Sequence, residues 1–343
     1  MSEFLELLRT EQSQKLNNVL TQMNLNSEEE QEHLIFNHNF YKSIVVKQPT
    51  FDKTFLYYEE MYKPSNYILD SLVPCDSFVD VDAIDNLIET YRQANDNRNL
   101  HIVESFMPQT NSIVYGRTSS ITGRQKIVSG PQILMLKKED RRKIFSNNNL
   151  YMMDFSALEP CILFQLCGQN QLDYQDLYLS IKDYLGLKHI DRSEIKNTVL
   201  RLIYGSSVEH SNLNHQVEAA ELNKFLSSLG INELKQQLKS DLYHDGCLYN
   251  FYGKPIITKQ QALDSTFQEY MLINYYIQST AADLALFLFS SFYKQNRNKI
   301  RPLFVIHDAL LFVSSEPLKQ GATKAFSTGK IKVFSKIEKA NLM

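Results

Sequence analysis

Two carboxylate blocks frame the chemistry that this chain could perform. Asp154-Phe155-Ser156-Ala157-Leu158-Glu159 follows an apolar run, and Val305-Ile306-His307-Asp308 sits between two more apolar runs. Between them, Arg192, Lys196, Leu200 and Tyr204 recur every four residues and end at Gly205. Two aspartates supply hard oxygen ligands for divalent cations, and magnesium, which keeps several waters, needs only one or two carboxylates beside substrate phosphates. Phosphoryl transfer by a nucleotidyltransferase needs two such cations roughly 3.5–4 Å apart, one at the attacking hydroxyl and one at the leaving pyrophosphate. On a helix, residues four apart form one stripe. A stripe of cation, cation, apolar and aromatic residues fits a nucleotide laid along it, with its phosphates at Arg192 and Lys196. Read singly, each block has a plainer alternative. Asp154 could cap a helix, Asp308 could be a turn residue, and Leu200 and Tyr204 could be core.

Elements able to position these groups are visible in the pattern. Leu150–Met153 reads as a buried strand leading into Asp154, and Leu158–Leu166 as a helix with Pro160 in its first turn. Leu303–Ile306 and Leu310–Val313 flank His307-Asp308-Ala309 as a tight hairpin. Upstream, Ser27 and Glu30 form a capping box, Val81–Tyr91 has the spacing of an amphipathic helix, and Gln93–Leu100 reads as a connecting loop. The predicted class is α+β, with a sheet carrying the acids and helices elsewhere.

Bulk properties set few limits. The chain has 343 residues, 43% of them hydrophobic and 22% charged, with a net charge of -3, as ordinary soluble domains have. Nucleic-acid binding needs a local basic face rather than a basic total. Two stretches offer one: Lys137, Lys138, Arg141, Arg142 and Lys143, and the lysine-rich segment from Lys319 to Met343. Either also reads as solvated surface. Cys75, Cys161, Cys167 and Cys247 form no C-x-x-C pair and read as reduced thiols in a cytosolic protein. No signal peptide is visible at the N-terminus, and no apolar run approaches the ~18 residues that span a bilayer.

Taken together, the blocks resemble the palm and fingers of a family A DNA polymerase, the class of bacterial DNA polymerase I, over about residues 115 to 315. Asp154–Glu159 match motif A, D-[YF]-S-x-[IL]-E; Arg192, Lys196, Tyr204 and Gly205 match motif B; His307 and Asp308 match motif C. Asn274–Asp283 is similar to the N-x-x-x-Q-G-T-A-A-D helix, and Thr122-Gly123-Arg124 to the T-G-R that opens the palm.

The resemblance implies a right-hand polymerase: an antiparallel palm sheet, helical fingers and a reduced helical thumb. The thumb would be residues 1–110, the palm 111–185 and 261–343, and the fingers 186–260, with Tyr249–Pro255 as the strand pair returning to the palm. Asp154 and Asp308 would hold two Mg²⁺ ions, for which Mn²⁺ could substitute. Arg192 and Lys196 would hold the triphosphate, with Lys196 also protonating the pyrophosphate. Glu159 would gate the sugar, Tyr204 close the floor, Tyr178 lie near the phosphates and Leu200 against the nucleotide. Arg124, Asn274, Gln278 and His307 would touch primer and template.

Departures stand at Leu200, where the family has an aromatic ring, at Ala309 after the motif C aspartate, and at Ser279 in place of glycine. Residues 1–120 contain no D-x-E, so no proofreading exonuclease is expected there. The expectation is therefore a template-directed DNA polymerase without proofreading, acting on primer–template DNA and deoxynucleoside triphosphates. It would work in a bacterial or phage-infected host cytoplasm, alone or with a replication accessory protein, and away from membranes. A single-subunit RNA polymerase relative and a catalytically idle DNA-binding subunit are the alternatives.

Overall fold

The computed structural model describes residues 57–107, 113–117, 120–145, 149–169, 171–205, 216–264, 267–319, 321–328 and 331–340. The Ser27–Glu30 capping box lies outside them. After a turn of π-helix come α1 (Lys63–Asp70), α2 (Val81–Gln93) and α3 (Asn97–Glu104). Asp80 opens α2 by accepting the Ala83 N–H at 3.0 Å, and Ile84 and Leu87 on its apolar stripe are buried. The Asn-rich stretch expected to be a loop is one only as far as Asp96. The Asp96 carboxylate accepts the Asn99 N–H at 3.1 Å, an N-cap that starts α3 at Asn97.

Strands β1 (Val114–Gly116) and β2 (Lys126–Ser129) form a small ribbon, followed by α4 (Lys138–Ile144). Then come β3 (Leu150–Phe155), α5 (Leu158–Leu166), α6 (Leu177–Tyr184), α7 (Arg192–Ile203), α8 (Gln216–Ser228) and α9 (Ile231–Asp245). The hairpin β4 (Cys247–Tyr249) and β5 (Pro255–Thr258) leads to the long α10 (Tyr270–Asn296). Strands β6 (Ile300–Ile306), β7 (Ala309–Ser314), β8 (Ala322–Thr328) and β9 (Ile331–Lys339) close the chain.

One five-stranded antiparallel sheet, ordered β6-β7-β3-β9-β8, organises the molecule. Its central strand β3 is buried from Leu150 to Met153, as the unbroken apolar run requires. Helices α10 and α5 cover one face. There Phe155 stacks on Phe289 at 5.3 Å between ring centroids and meets Phe326 edge-on at 5.9 Å. Helix α10 is apolar nearly all round because it is buried nearly all round. The described N-terminal helices are part of this body. The Ile68 N–H donates to Ser290 Oγ on α10 at 3.0 Å, and Val73 N–H to the Pro302 carbonyl at 2.9 Å.

The lysine-rich C-terminal segment is not a run of solvated surface. It supplies β8 and β9, two of the five strands, with Ile331, Val333 and Ile337 in the core.

Candidate active site

The two acids meet through strand pairing. β3 lies antiparallel to β7 with Asp154 opposite Ala309, and Phe155 N–H donates to the Asp308 carbonyl at 3.2 Å. Asp154 is the penultimate residue of its strand, while Asp308 sits in the two-residue turn between β6 and β7. Two of the three non-glycine residues with positive φ among the described residues lie beside these acids: Ala157 at 50° and His307 at 54°. Such backbone costs of order 1–3 kcal/mol per residue and persists where surroundings enforce it.

Burial, and then the neighbouring Asp308 charge, push Asp154 up to about 7, while Lys196 pulls it down. Burial also raises Asp308, with His307, Arg124 and Lys196 acting against it. The sheet therefore holds two like charges that are incompletely neutralised, and a cation would relieve this. Among the described residues no group of three or more His, Cys, Asp or Glu side chains could hold a metal. Two oxygen donors at the end of adjacent strands suit a hard divalent cation completed by phosphates and water, rather than a closed zinc cage.

Helix α7 displays the stripe as its spacing predicts. Ile195, Val199 and Ile203 are buried, Arg192 and Lys196 are exposed, and Leu200 is half-buried between the two faces. Tyr204 forms the C-cap, and its buried hydroxyl finds no hydrogen-bond partner among the described residues. Gly205 has φ +88°, and a Cβ there would stand 2.9 Å from Tyr270 Cβ, so the Tyr-Gly ending has a steric cause. Asp176 grips the Arg192 Nε at 2.8 and 3.0 Å, and the guanidinium lies 5.4 Å from the buried Tyr178 ring. Tyr178 thus supports Arg192 from below, and burial raises its phenol pKa.

Arg124 and Glu159 form an ion pair. With His307 and Asp308, and with Ala281, Ala282 and Ala285 of α10, they line a pocket of about 60 Å³. That is small beside the ~300–1,000 Å³ of a ligand pocket. Burial raises Glu159, and burial followed by the Arg124 charge lowers His307. Asn274 and Gln278 lie half-buried on α10 just before these alanines, and the buried Asn274 side-chain oxygen finds no partner among the described residues. The structure thus gathers Asp154, Asp308, Glu159, Arg124 and His307 tightly, sets Lys196 within electrostatic reach, and places Asn274 and Gln278 at the margin.

Sequence reasoning missed a buried hub next to this site. Arg117 donates to Asp283 at 2.8 Å and to Ser65 Oγ at 2.9 Å; Asn250 donates to Asp283 at 2.7 Å, and Tyr57 to Asp283 at 3.1 Å. The hub ties α1, the β1 ribbon, the β4–β5 turn and α10 together. Gly123, at φ +69°, lies against the same turn: a Cβ there would fall 1.7 Å from Lys254 Nζ. The only signal for the hub in the sequence was Asp283 at the end of the Asn274–Asp283 block.

No family model matches the chain, and no curated protein matches it. Among solved structures, the POL domain of Pol1 from M. smegmatis, in complex with DNA primer-template and dNTP, is similar with a TM-score of 0.52 and 20% identity. The match covers 69% of this chain and 50% of that one, so the chain spans about half the length of that structure. The mixed helix-and-sheet architecture, with its antiparallel sheet, is therefore similar in fold to that polymerase domain.

Proposed function

We propose that this chain is a template-directed DNA polymerase that adds deoxynucleotides to a primer 3′ end. The observation that carries the reading is the β3–β7 pairing, which sets Asp154 and Asp308 side by side at one end of the sheet with Lys196 acting on both. Residues 111–185 and 261–343 would be the palm, 186–260 the fingers, and the N-terminal helical segment the grip on duplex phosphates.

Asp154 and Asp308 would hold two Mg²⁺ ions, which when bound activate the 3′-hydroxyl and stabilise the pyrophosphate. Asp154, raised to about 7, would hold a cation in its deprotonated form. Arg192, held at Nε by Asp176, would turn its terminal nitrogens to the triphosphate. Lys196 would add a mobile charge there and donate a proton to the departing pyrophosphate. Glu159, fixed by Arg124, would sit beneath the sugar and exclude a 2′-hydroxyl.

Primer extension on a short template with Mg²⁺, offering deoxy- and ribonucleotides separately, tests this. Extension with deoxynucleotides alone supports it, and no extension with either sinks it. We extend the reading to synthesis without proofreading by this chain, so a labelled primer incubated with Mg²⁺ and no nucleotide should stay full length.

A further inference from the structure

The β8–β9 hairpin takes no part in the chemistry above, yet one face of it continues the candidate active site. Along β9, Ile331, Val333, Ser335 and Ile337 are buried beneath the sheet. The alternate residues Lys332, Phe334, Lys336 and Glu338 therefore point to the other face, where Lys332 is exposed and the rest are half-buried. Residues directly opposite in an antiparallel ladder share a face. Lys336 pairs with Asp154 and Glu338 with Met152, and Ser156 N–H donates to the Phe334 carbonyl at 2.8 Å. The strand thus runs beside the strand that carries Asp154, in fixed register.

This face has the composition of a nucleic-acid platform. Lys332 Nζ lies 5.1 Å from the centroid of the Phe334 ring, and the ring remains outside the core that holds Phe326 and Phe155. Its partner on β8 is Ala325, an exposed small residue that leaves the ring uncovered on that side. Lys332 and Lys336 are separated by about 13 Å of strand, the length of roughly four stacked nucleotides at 3.4 Å each. Glu338, the one carboxylate on this face of β9, lies beyond Lys336 and marks the end of the cationic stretch.

We propose that the Lys332–Phe334–Lys336 face binds single-stranded nucleic acid leading to or from the candidate metal site, with phosphates at the lysines and a base stacked on Phe334. Charge complementarity and continuity with Asp154 select this occupant over a protein surface, which alternating lysines would keep wet. Stacking on a lone ring tolerates any base, so the site would be indifferent to sequence.

Fluorescence anisotropy of a labelled oligo-dT with the full chain in EDTA tests the proposal without catalysis, so its failure is separable from that of the polymerase reading. Base–aromatic stacking of ~1–3 kcal/mol means that Phe334→Ala should weaken oligo-dT about 5- to 150-fold, and Phe334→Tyr should bind like the parent. Lys332→Gln, at an exposed position that folding tolerates, should flatten the slope of log K against log salt by about 0.7. Affinity for a blunt duplex should not change. Unaltered oligo-dT affinity in folded Phe334→Ala, an unaltered salt slope in Lys332→Gln, or an equal loss for duplex and single strand would each overturn it.

Discussion

Replacing Asp154 by asparagine should destroy activity and yet stabilise the metal-free protein at neutral pH. The folded state raises this carboxyl from 3.8 to about 7, chiefly through burial and then through Asp308. At ~1.36 kcal/mol per pK unit, that rise corresponds to a ceiling on the order of 4 kcal/mol. Asp154 is only half-buried and water reaches it, so about 1–3 kcal/mol is the expected gain. The sign follows from proton counting. Between about pH 4 and 7 the native state holds a proton that the unfolded chain has released, so parent stability falls as pH rises through this window. The substituted amide carries no charge, so the advantage of Asp154→Asn should be absent near pH 4, grow to about pH 7, and then level off. Urea unfolding of both proteins in EDTA at several pH values measures it. Adding Mg²⁺ should reverse the order, because a ligand at about 100 times its Kd stabilises by roughly 2.7 kcal/mol and only the parent keeps both ligands. A pH-independent difference, or no gain at about pH 8, would refute the idea that two mutually destabilising carboxylates share this end of the sheet.

Three other outcomes follow from the geometry. Arg192→Ala and Lys196→Ala should each lower kcat/KM for the nucleotide by at least ~10-fold, the loss of a charged hydrogen bond of roughly 1.5–3 kcal/mol, with duplex affinity unchanged in a gel-shift assay. Arg117→Ala should destabilise by about 3–5 kcal/mol in urea unfolding, because it leaves Asp283 buried without its ion-pair partner. Leu200→Tyr should lower KM for normal nucleotides in steady-state incorporation by about 5-fold or more, since a ring adds ~1–3 kcal/mol of stacking. No change would mean that Leu200, half-buried on α7, does not line the nucleotide site.

The site was more legible in the sequence than the sheet that supports it. Asp154 and Asp308 stood out because each adjoins an apolar run and the four-residue stripe of α7 lies between them in the chain; singly, each had a plainer reading as a cap or a turn residue. β8 and β9 were not legible, since a stretch with six lysines between residues 319 and 339 resembles solvated chain until Ile331, Val333 and Ile337 find a core built by residues far upstream. The Asn97 helix was hidden by its composition, and one capping carboxylate, Asp96, decides it. The Arg117–Asp283 pair joins residues 166 apart in the chain. No local pattern marks such a contact.

Single-nucleotide extension of a primer–template by the parent, Asp154→Ala and Asp308→Ala, with Mg²⁺ titrated and duplex binding measured alongside, tests the central claim most directly. The two-metal reading predicts Mg²⁺-dependent extension by the parent, none above a few per cent in either variant, and nearly equal duplex binding by all three. Extension by either variant at more than a few per cent of the parent rate would contradict it.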